Sequence, residues 1–171
     1  MTRIGILSDT HGWLDPAIFR HFETCDEIWH AGDFGSVEVS DALAAFKPLK
    51  GVYGNIDGHV LRRIHPEFLS YRCENVSVLM THIGGYPGHY APAARLAIEQ
   101  HVPKLFICGH SHILRVMRDS RHHNMLVMNP GAAGREGFHK VRTCMRFAID
   151  GERMLEAEVI ELGKRGAYPQ T

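Results

Sequence analysis

The sequence predicts an α/β fold in which a mixed β-sheet, or two stacked mixed sheets, is covered by helices. Short apolar strands alternate with helical patterns as far as about residue 108, which is typical of parallel strands joined by helices. Beyond that point strand patterns follow one another around turn signals, which indicates antiparallel pairs. The 171 residues, 44% hydrophobic and 22% charged, suit one globular domain, placed at 1–162 with a C-terminal tail at 163–171.

Five short apolar runs of the first part, each followed by a loop, are predicted strands: Arg3–Ser8, Glu27–His30, Leu49–Tyr53, Val76–Thr81 and Leu105–Cys108. Asp15 and Pro16 indicate the start of a first helix, and Ser36 is the predicted cap of a second. Apolar residues at i, i+3, i+4 and i+7 give the second helix one hydrophobic face. A third helix is predicted over Ala91–His101, because Pro103 stops it.

The second part of the chain reads as strands alone. Ile113–Arg118 and Met125–Met128 are predicted strands around a polar turn. Val141–Ile149 and Arg153–Ile160 flank Asp150-Gly151, which is a short hairpin signal. Apolar residues alternate along both segments, so each is expected to bury one face.

Bulk composition excludes several function classes. The four cysteines form no CxxC pair, and the N-terminal apolar stretch is too short for a signal-peptide core. No apolar run approaches the ~18 residues that a membrane span needs, and the 19 basic and 19 acidic residues form no block of like charge. We therefore expect a cytoplasmic protein that binds neither a membrane nor a nucleic-acid polymer. The unusual feature is 13 histidines, and imidazole is the commonest metal-ligand side chain.

Polar segments that directly follow the predicted strands contain the chemistry. They are Asp9-Thr10-His11, Gly32-Asp33, Gly54-Asn55-Ile56-Asp57, Thr81-His82 and Gly109-His110-Ser111-His112. In α/β sheets, loops at the carboxyl ends of separate strands meet in one crevice, so segments distant in sequence can form one site. The flanking glycines, Gly12 among them, permit a tight backbone beside bound ions.

Seven side chains of these segments are candidate metal ligands: Asp9, His11, Asp33, Asn55, His82, His110 and His112. A single tetrahedral site needs four, whereas seven suit two ions that share a carboxylate. The set offers oxygen and imidazole nitrogen but no thiolate, which favours Mn, Fe, Zn, Ni or Co over Ca or a structural cysteine–zinc site. We take two divalent ions, with manganese first among these metals, as the expected cofactors.

These five segments, in this order, resemble those of the calcineurin-like metallophosphoesterases, and most closely the small single-domain phosphodiesterases of bacteria and archaea. The resemblance runs from residue 4 to about residue 149 and includes Asn129-Pro130-Gly131 after a strand. It implies two stacked mixed β-sheets flanked by helices, a four-layer α/β/β/α sandwich, and a hydrolase site with two metals.

Carried over residue by residue, the resemblance places one ion on Asp9, His11, Asp33 and His112. It places the second ion on Asp33, Asn55, His82 and His110, so that Asp33 bridges the pair. Two positions depart from the wider family. Ile56 follows Asn55 where larger phosphatases have a general-acid histidine, and the Ile83–Gly88 segment replaces the usual Gly-His after His82.

The hypothesis from these residues is phosphodiester hydrolysis by a hydroxide that bridges two metal ions, since paired cations lower the pKa of a shared water. His59, four residues beyond Asn55, is the candidate proton donor. Gly12, Asn55 and Arg135 are the expected contacts of a small phosphodiester substrate. Asp57 is expected to cap the helix that follows or to support the ligands.

A second class of function is a catalytically weak protein-interaction scaffold, because a retromer subunit keeps this fold without catalytic power. A scaffold has no need of an intact ligand set, and all seven ligand types are present here. The sequence therefore favours the enzyme. It leaves the natural substrate open and is compatible with a homo-oligomer.

Overall fold

Two five-stranded β-sheets form the centre of the protein in a computed structural model, which describes residues 1–166. In chain order the elements are β1 (Thr2–Leu7), α1 (Ala17–His21), β2 (Glu27–His30), α2 (Val37–Phe46), β3 (Leu49–Gly51), α3 (His59–Ile64), β4 (Phe68–Cys73), β5 (Val76–Thr81), α4 (Pro92–His101), β6 (Leu105–Ile107), β7 (Arg115–Asp119), β8 (Met125–Asn129), β9 (Val141–Asp150) and β10 (Arg153–Lys164).

Each sheet combines three parallel strands with two antiparallel ones. The first sheet has the order β10-β9-β1-β2-β3, with β1, β2 and β3 parallel and β9 antiparallel to both of its neighbours. The second has the order β4-β5-β6-β8-β7, with β5, β6 and β8 parallel and an antiparallel strand at either edge. The parallel strands of both sheets end at the site described below.

Alternation along the strands builds three hydrophobic layers. Ile4 and Ile6 of β1 pack with Val78 and Met80 of β5 between the two sheets. Residues on the opposite faces, such as Leu79, pack against helices instead. The outer face of the first sheet is covered by α1, α2 and α3, and that of the second by α4. The predicted α/β/β/α sandwich is therefore confirmed.

Several local predictions need correction. Strand β4 is absent from the sequence prediction, and β10 continues to Lys164, two residues into the predicted tail. The remainder of the predicted tail beyond residue 166 lies outside the described residues. Ser36 caps α2 as predicted, accepting a hydrogen bond from the Val39 N–H. Asp57, however, caps no helix: Gly58 is the cap residue of α3 and makes no side-chain cap hydrogen bond.

No helix within residues 1–166 is both long enough and apolar enough to cross a lipid bilayer.

Candidate metal centre

The loops after five parallel strands meet at one end of the two stacked sheets. The first sheet supplies Asp9 after β1 and Asp33 after β2, and their loops are joined by a hydrogen bond from the Asp9 N–H to the Gly32 carbonyl (3.0 Å). The second sheet supplies His82 after β5 and His110 after β6. A bond from the His110 N–H to Asp9 Oδ2 (3.1 Å) links the two sheets at this point.

Six of the seven predicted ligands form two clusters. Asp9, His11 and His112 make the first cluster, and Asp33, His82 and His110 make the second. Within each cluster the candidate ligand atoms lie within 4.8 Å of one another. Each cluster falls within one of the two ligand sets that the family resemblance implies, and the role of these residues as ligands stays a prediction.

Asp33 connects the clusters through one atom. Its Oδ2 lies 3.4 Å from Nε2 of His11 in the first cluster and 3.2 Å from Nε2 of His82 in the second. Its other oxygen, Oδ1, accepts a hydrogen bond from the Ile56 N–H (3.1 Å), which fixes the carboxylate. One oxygen of Asp33 thus lies close to an imidazole nitrogen of each cluster.

An unusual backbone directs these side chains. Five of the six clustered residues have a left-handed backbone with φ between 49° and 67°: Asp9, His11, Asp33, His110 and His112. Such a conformation is uncommon for residues other than glycine and costs of order 1–3 kcal/mol each. Asp9 and His11 both face the first cluster, whereas His110 faces the second cluster and His112 the first.

Three buried polar atoms of the clusters have no hydrogen-bond partner among the described residues. They are Asp9 Oδ1, His11 Nε2 and His82 Nε2. Buried polar groups without partners cost about 1–3 kcal/mol each, so their convergence calls for a ligand. A divalent cation fits, since it accepts electron pairs from carboxylate oxygen and imidazole nitrogen alike.

Hydrogen bonds set the tautomer of His82. Its Nδ1 lies 2.7 Å from the Ala31 carbonyl oxygen, which can only accept, so Nδ1 holds the proton. The Nε2 lone pair then points towards Asp33 Oδ2, as in many metal sites where a histidine donates its other N–H to a fixed acceptor.

Electrostatics within the clusters favours a cation. Burial raises the pKa of Asp9 and of Asp33, but the facing imidazoles lower it more, so both carboxylates have a pKa well below the usual range. The Asp33 and Asp9 carboxylates raise the pKa of His11 to about 10. A proton therefore occupies His11 near neutral pH when no other cation competes for it.

Asp57 organises the loops around Asp33 instead of capping a helix. It is buried, and its carboxylate accepts hydrogen bonds from the backbone N–H groups of Phe34 (3.2 Å), Gly35 (2.8 Å) and Gly54 (2.8 Å). Gly54 must be glycine, because a Cβ there would lie 2.0 Å from Asp33 Oδ1. The β2 and β3 loops are thereby held against each other.

The structure places Asn55 beside the second cluster but exposes it to solvent. Arg62 fixes its loop by donating hydrogen bonds to the carbonyls of Asp57 (2.7 Å) and Asn55 (3.3 Å). Asn55 and His82 line the same cavity, of about 450 Å³. Asn55 is thus near the second cluster.

The other predicted contacts surround the clusters. Gly12 donates its N–H to the Phe34 carbonyl (2.8 Å), so that group is already used. The Arg135 guanidinium stacks 4.3 Å from the ring centre of Trp13, the residue after Gly12. His59 is exposed at the first turn of α3.

Two further histidines support the loops and ligands of the clusters. His30 is completely buried, accepts the Gly32 N–H at Nδ1 (3.1 Å) and bonds Thr10 Oγ1 through Nε2 (3.0 Å). Burial lowers its pKa to about 3, so it stays neutral. The second is His139, whose Nδ1 lies 3.1 Å from His112 Nδ1. Nothing in the sequence around position 139 signals that contact.

Comparison with known proteins agrees with this geometry. The calcineurin-like phosphoesterase superfamily domain matches residues 2–152, which is most of the chain. The chain belongs to the calcineurin-like phosphoesterase superfamily. Among curated members of this superfamily, a probable metallophosphoesterase of Methanothermobacter thermautotrophicus is 31% identical over 168 residues, covering 94% of this chain and 92% of its own. A second, from Methanocaldococcus jannaschii, is 31% identical over 134 residues, covering 75% and 67%.

Solved structures similar to this phosphoesterase-superfamily chain share its fold. A crystal structure of a Vps29 single mutant from Entamoeba histolytica has a TM-score of 0.74 at 15% identity, covering 94% of this chain and 99% of its own. A predicted phosphoesterase from Streptococcus pneumoniae has a TM-score of 0.68 at 20% identity, covering 98% and 93%. Wild-type Vps29 from Entamoeba histolytica, solved in complex with Zn²⁺, has a TM-score of 0.70 at 17% identity, covering 93% and 98%.

Proposed function

We propose that this protein is a phosphodiesterase that works with two divalent cations, one in each cluster. The observation that carries the proposal is the position of Asp33 Oδ2, within 3.4 Å of an imidazole Nε2 of either cluster. A carboxylate oxygen shared in this way suits a pair of cations ~3.5–4 Å apart, the spacing of two-metal hydrolytic sites.

In this proposal each ion has its own ligands and shares Asp33. Asp9, His11 and His112 hold the first ion; His82 and His110, completed by Asn55, hold the second. The donors are oxygen and imidazole nitrogen without thiolate, which favours manganese and leaves iron, zinc, nickel and cobalt as alternatives. When bound, the cations neutralise the phosphate and lower the pKa of a shared water towards ~7, which supplies a hydroxide nucleophile.

Two cavities on either side of the second cluster support a diester as substrate. His82 and Asn55 line the cavity of about 450 Å³, and His110 lines a second cavity of about 280 Å³. Ile83 lines both, so it stands as a ridge between them. A phosphate held at the clusters could place one organic group on each side of this ridge, and only a diester has two.

The larger cavity suits an aromatic or apolar group. Tyr53 and Phe68 supply rings to its wall, and the Arg62 guanidinium stacks 4.6 Å from the ring centre of Tyr53. Ligand pockets are usually apolar surfaces with a few fixed polar groups and have volumes of about 300–1,000 Å³. An aryl or nucleoside group matches both the size and the lining of this cavity.

Proton donation to the leaving group distinguishes this chain from a general phosphatase. Ile56, directly after Asn55, cannot donate a proton, and His59 is exposed on α3. We therefore infer that good leaving groups react fastest, with His59 as the candidate donor for poorer ones. Arg135, held against Trp13, supplies a guanidinium fork suited to a phosphate oxygen. Gly12, directly before Trp13, is the second expected contact of that phosphate.

Hydrolysis of bis(p-nitrophenyl) phosphate with Mn²⁺ tests the proposal. We expect turnover that EDTA abolishes and added Mn²⁺ restores, and slower turnover of p-nitrophenyl phosphate under the same conditions. Faster hydrolysis of the monoester would overturn the diester assignment. Absence of hydrolysis with each of Mn²⁺, Fe²⁺, Zn²⁺, Ni²⁺ and Co²⁺ would overturn the proposal that the protein is an enzyme.

A protein-interaction scaffold is the second candidate, because the fold neighbours include Vps29 structures at TM-scores of 0.70 and 0.74. The two candidate functions differ in whether they need intact clusters. An enzyme loses its activity when Asp33 is replaced, whereas a scaffold keeps its surface and its partner. The assay above, applied to wild type and Asp33→Ala, therefore separates them.

A further inference from the structure

His139 lies between a proposed metal ligand and a backbone carbonyl. Its Nδ1 is 3.1 Å from Nδ1 of His112, and its Nε2 is 2.8 Å from the Gly134 carbonyl oxygen. The two rings meet edge to face, with centroids 5.0 Å apart and planes at 71°. His112 Nε2, on the far side of its ring, points towards Asp9 Oδ1 at 3.1 Å.

The hydrogen-bonding capacity of each atom fixes where the protons are. A carbonyl oxygen only accepts, so Nε2 of His139 holds a proton and, in a neutral ring, Nδ1 presents a lone pair. That lone pair accepts the Nδ1 proton of His112. Nε2 of His112 is then unprotonated and faces the first cluster with its lone pair, which is the state a cation needs.

The loop of residues 134–139, which contains His139, also contacts Asp9 of the first cluster. The Gly134 N–H donates to the Asp9 carbonyl (3.0 Å), while the Gly134 carbonyl accepts from His139. Gly137 packs so closely that a Cβ there would lie 2.1 Å from His112 Nδ1. Residues 134–139 therefore join Asp9 and His112, two ligands of one proposed ion, by hydrogen bonds and contact.

We propose that His139 is a positioning residue for the first metal ion, acting by accepting the Nδ1 proton of His112. The proposal rests on the proposed function, because it presumes the first cluster binds a cation. It also means that the two proposed sites differ in the group that accepts a proton from their histidine ligands. His82 of the second cluster donates to a backbone carbonyl that no substitution removes, whereas the acceptor for His112 is a side chain.

Titration calorimetry with Mn²⁺ alone tests this on the purified protein. His139→Leu removes the acceptor at similar size, and we expect the first site to lose about 10–100-fold in affinity, the range for such supporting groups, with the second site within ~3-fold of wild type. His139→Asn keeps an acceptor near the Nδ1 position and should recover most of the loss. His101→Leu, at an exposed histidine that ends α4, is the matched control and should match wild type.

Crystals soaked in limiting Mn²⁺ identify the affected site by anomalous scattering, and thermal unfolding without metal checks the fold of each variant. Wild-type affinity at both sites in His139→Leu would overturn the proposal. Equal losses in the Leu and Asn variants, or an equal loss at both sites, would assign His139 to packing and overturn it as well. Failure of the wild type to bind two ions would instead overturn the proposed function.

Discussion

Oδ2 of Asp33 lies 3.2 Å from Nε2 of His82, and the same oxygen lies 3.4 Å from Nε2 of His11. These two histidines come from different sheets, so one carboxylate oxygen connects the two halves of the sandwich. Asp57 and the Ile56 N–H hold the surrounding loops in place. The proposed pair of cations depends on this shared oxygen.

Replacing Asp33 should therefore affect both ions together. We expect Asp33→Ala to fall from two bound Mn²⁺ ions per chain to fewer than one, and to lose more activity than the 10–100-fold typical of supporting residues. Mass spectrometry of the dialysed protein measures the number of bound Mn²⁺ ions per chain. Asp41→Ala, on the exposed side of α2, serves as the control. Two ions retained in Asp33→Ala would disprove the bridging role.

Metal binding should release protons near neutral pH. His11 has a pKa raised to about 10 by Asp33 and Asp9, so it is protonated at pH 7–9 without metal and must lose that proton to bind a cation. Affinity for Mn²⁺ is expected to rise with pH over this range. Calorimetry at pH 8 in two buffers of different ionisation enthalpy counts the protons. Identical heats in both buffers would contradict this expectation.

Removing the Asp57 carboxylate should loosen the loops around Asp33. Asp57→Ala leaves three backbone N–H groups without their acceptor, and each hydrogen bond to a charged group contributes about 1.5–3 kcal/mol. We expect the free energy of unfolding to drop by at least about 2 kcal/mol, with weaker Mn²⁺ binding. Urea denaturation of this variant beside Asp41→Ala provides the comparison. A drop below about 1 kcal/mol would mean that other groups hold these loops.

A buried ion pair should stabilise the fold on the side of β10. Arg142 pairs with Asp15 and donates to the Leu162 carbonyl (2.8 Å), and both side chains are about 95% buried or more. Asp15→Ala leaves an unpaired buried charge, for which about 3–5 kcal/mol of destabilisation is typical. The double variant Asp15→Leu/Arg142→Met should lose less than Asp15→Ala does. If thermal unfolding shows the double variant to be less stable than Asp15→Ala, the ion pair stabilises the fold more than a buried apolar pair does.

The sequence predicts the layers of the fold because burial leaves periodic patterns. Strands such as β1 and β5, buried on both faces, are continuous apolar runs, and they were predicted nearly to the residue. Strand β4 was missed, although Leu69, Tyr71 and Cys73 alternate there with the exposed Ser70 and Arg72. Its edge position does not explain the omission, because β7 and β10 are edge strands too and were predicted.

The candidate ligands were predictable for a different reason. Each is a polar residue placed directly after an apolar strand, and the parallel topology then brings them together. The partners of the supporting residues are not predictable in this way. Asp57 bonds N–H groups more than twenty residues away, and His139 lies 27 positions from its partner His112. Their roles depend on loop paths that local patterns do not encode, and the role of the ligands themselves stays a prediction.

The most direct measurement is a crystal structure of the Mn²⁺-loaded protein with an anomalous difference map at the manganese edge. We predict two peaks ~3.5–4 Å apart, with Asp33 Oδ2 bound to both. One lies within ligand distance of Asp9, His11 and His112, and the other within ligand distance of His82 and His110. A single peak, or none, in fully loaded crystals would contradict this prediction.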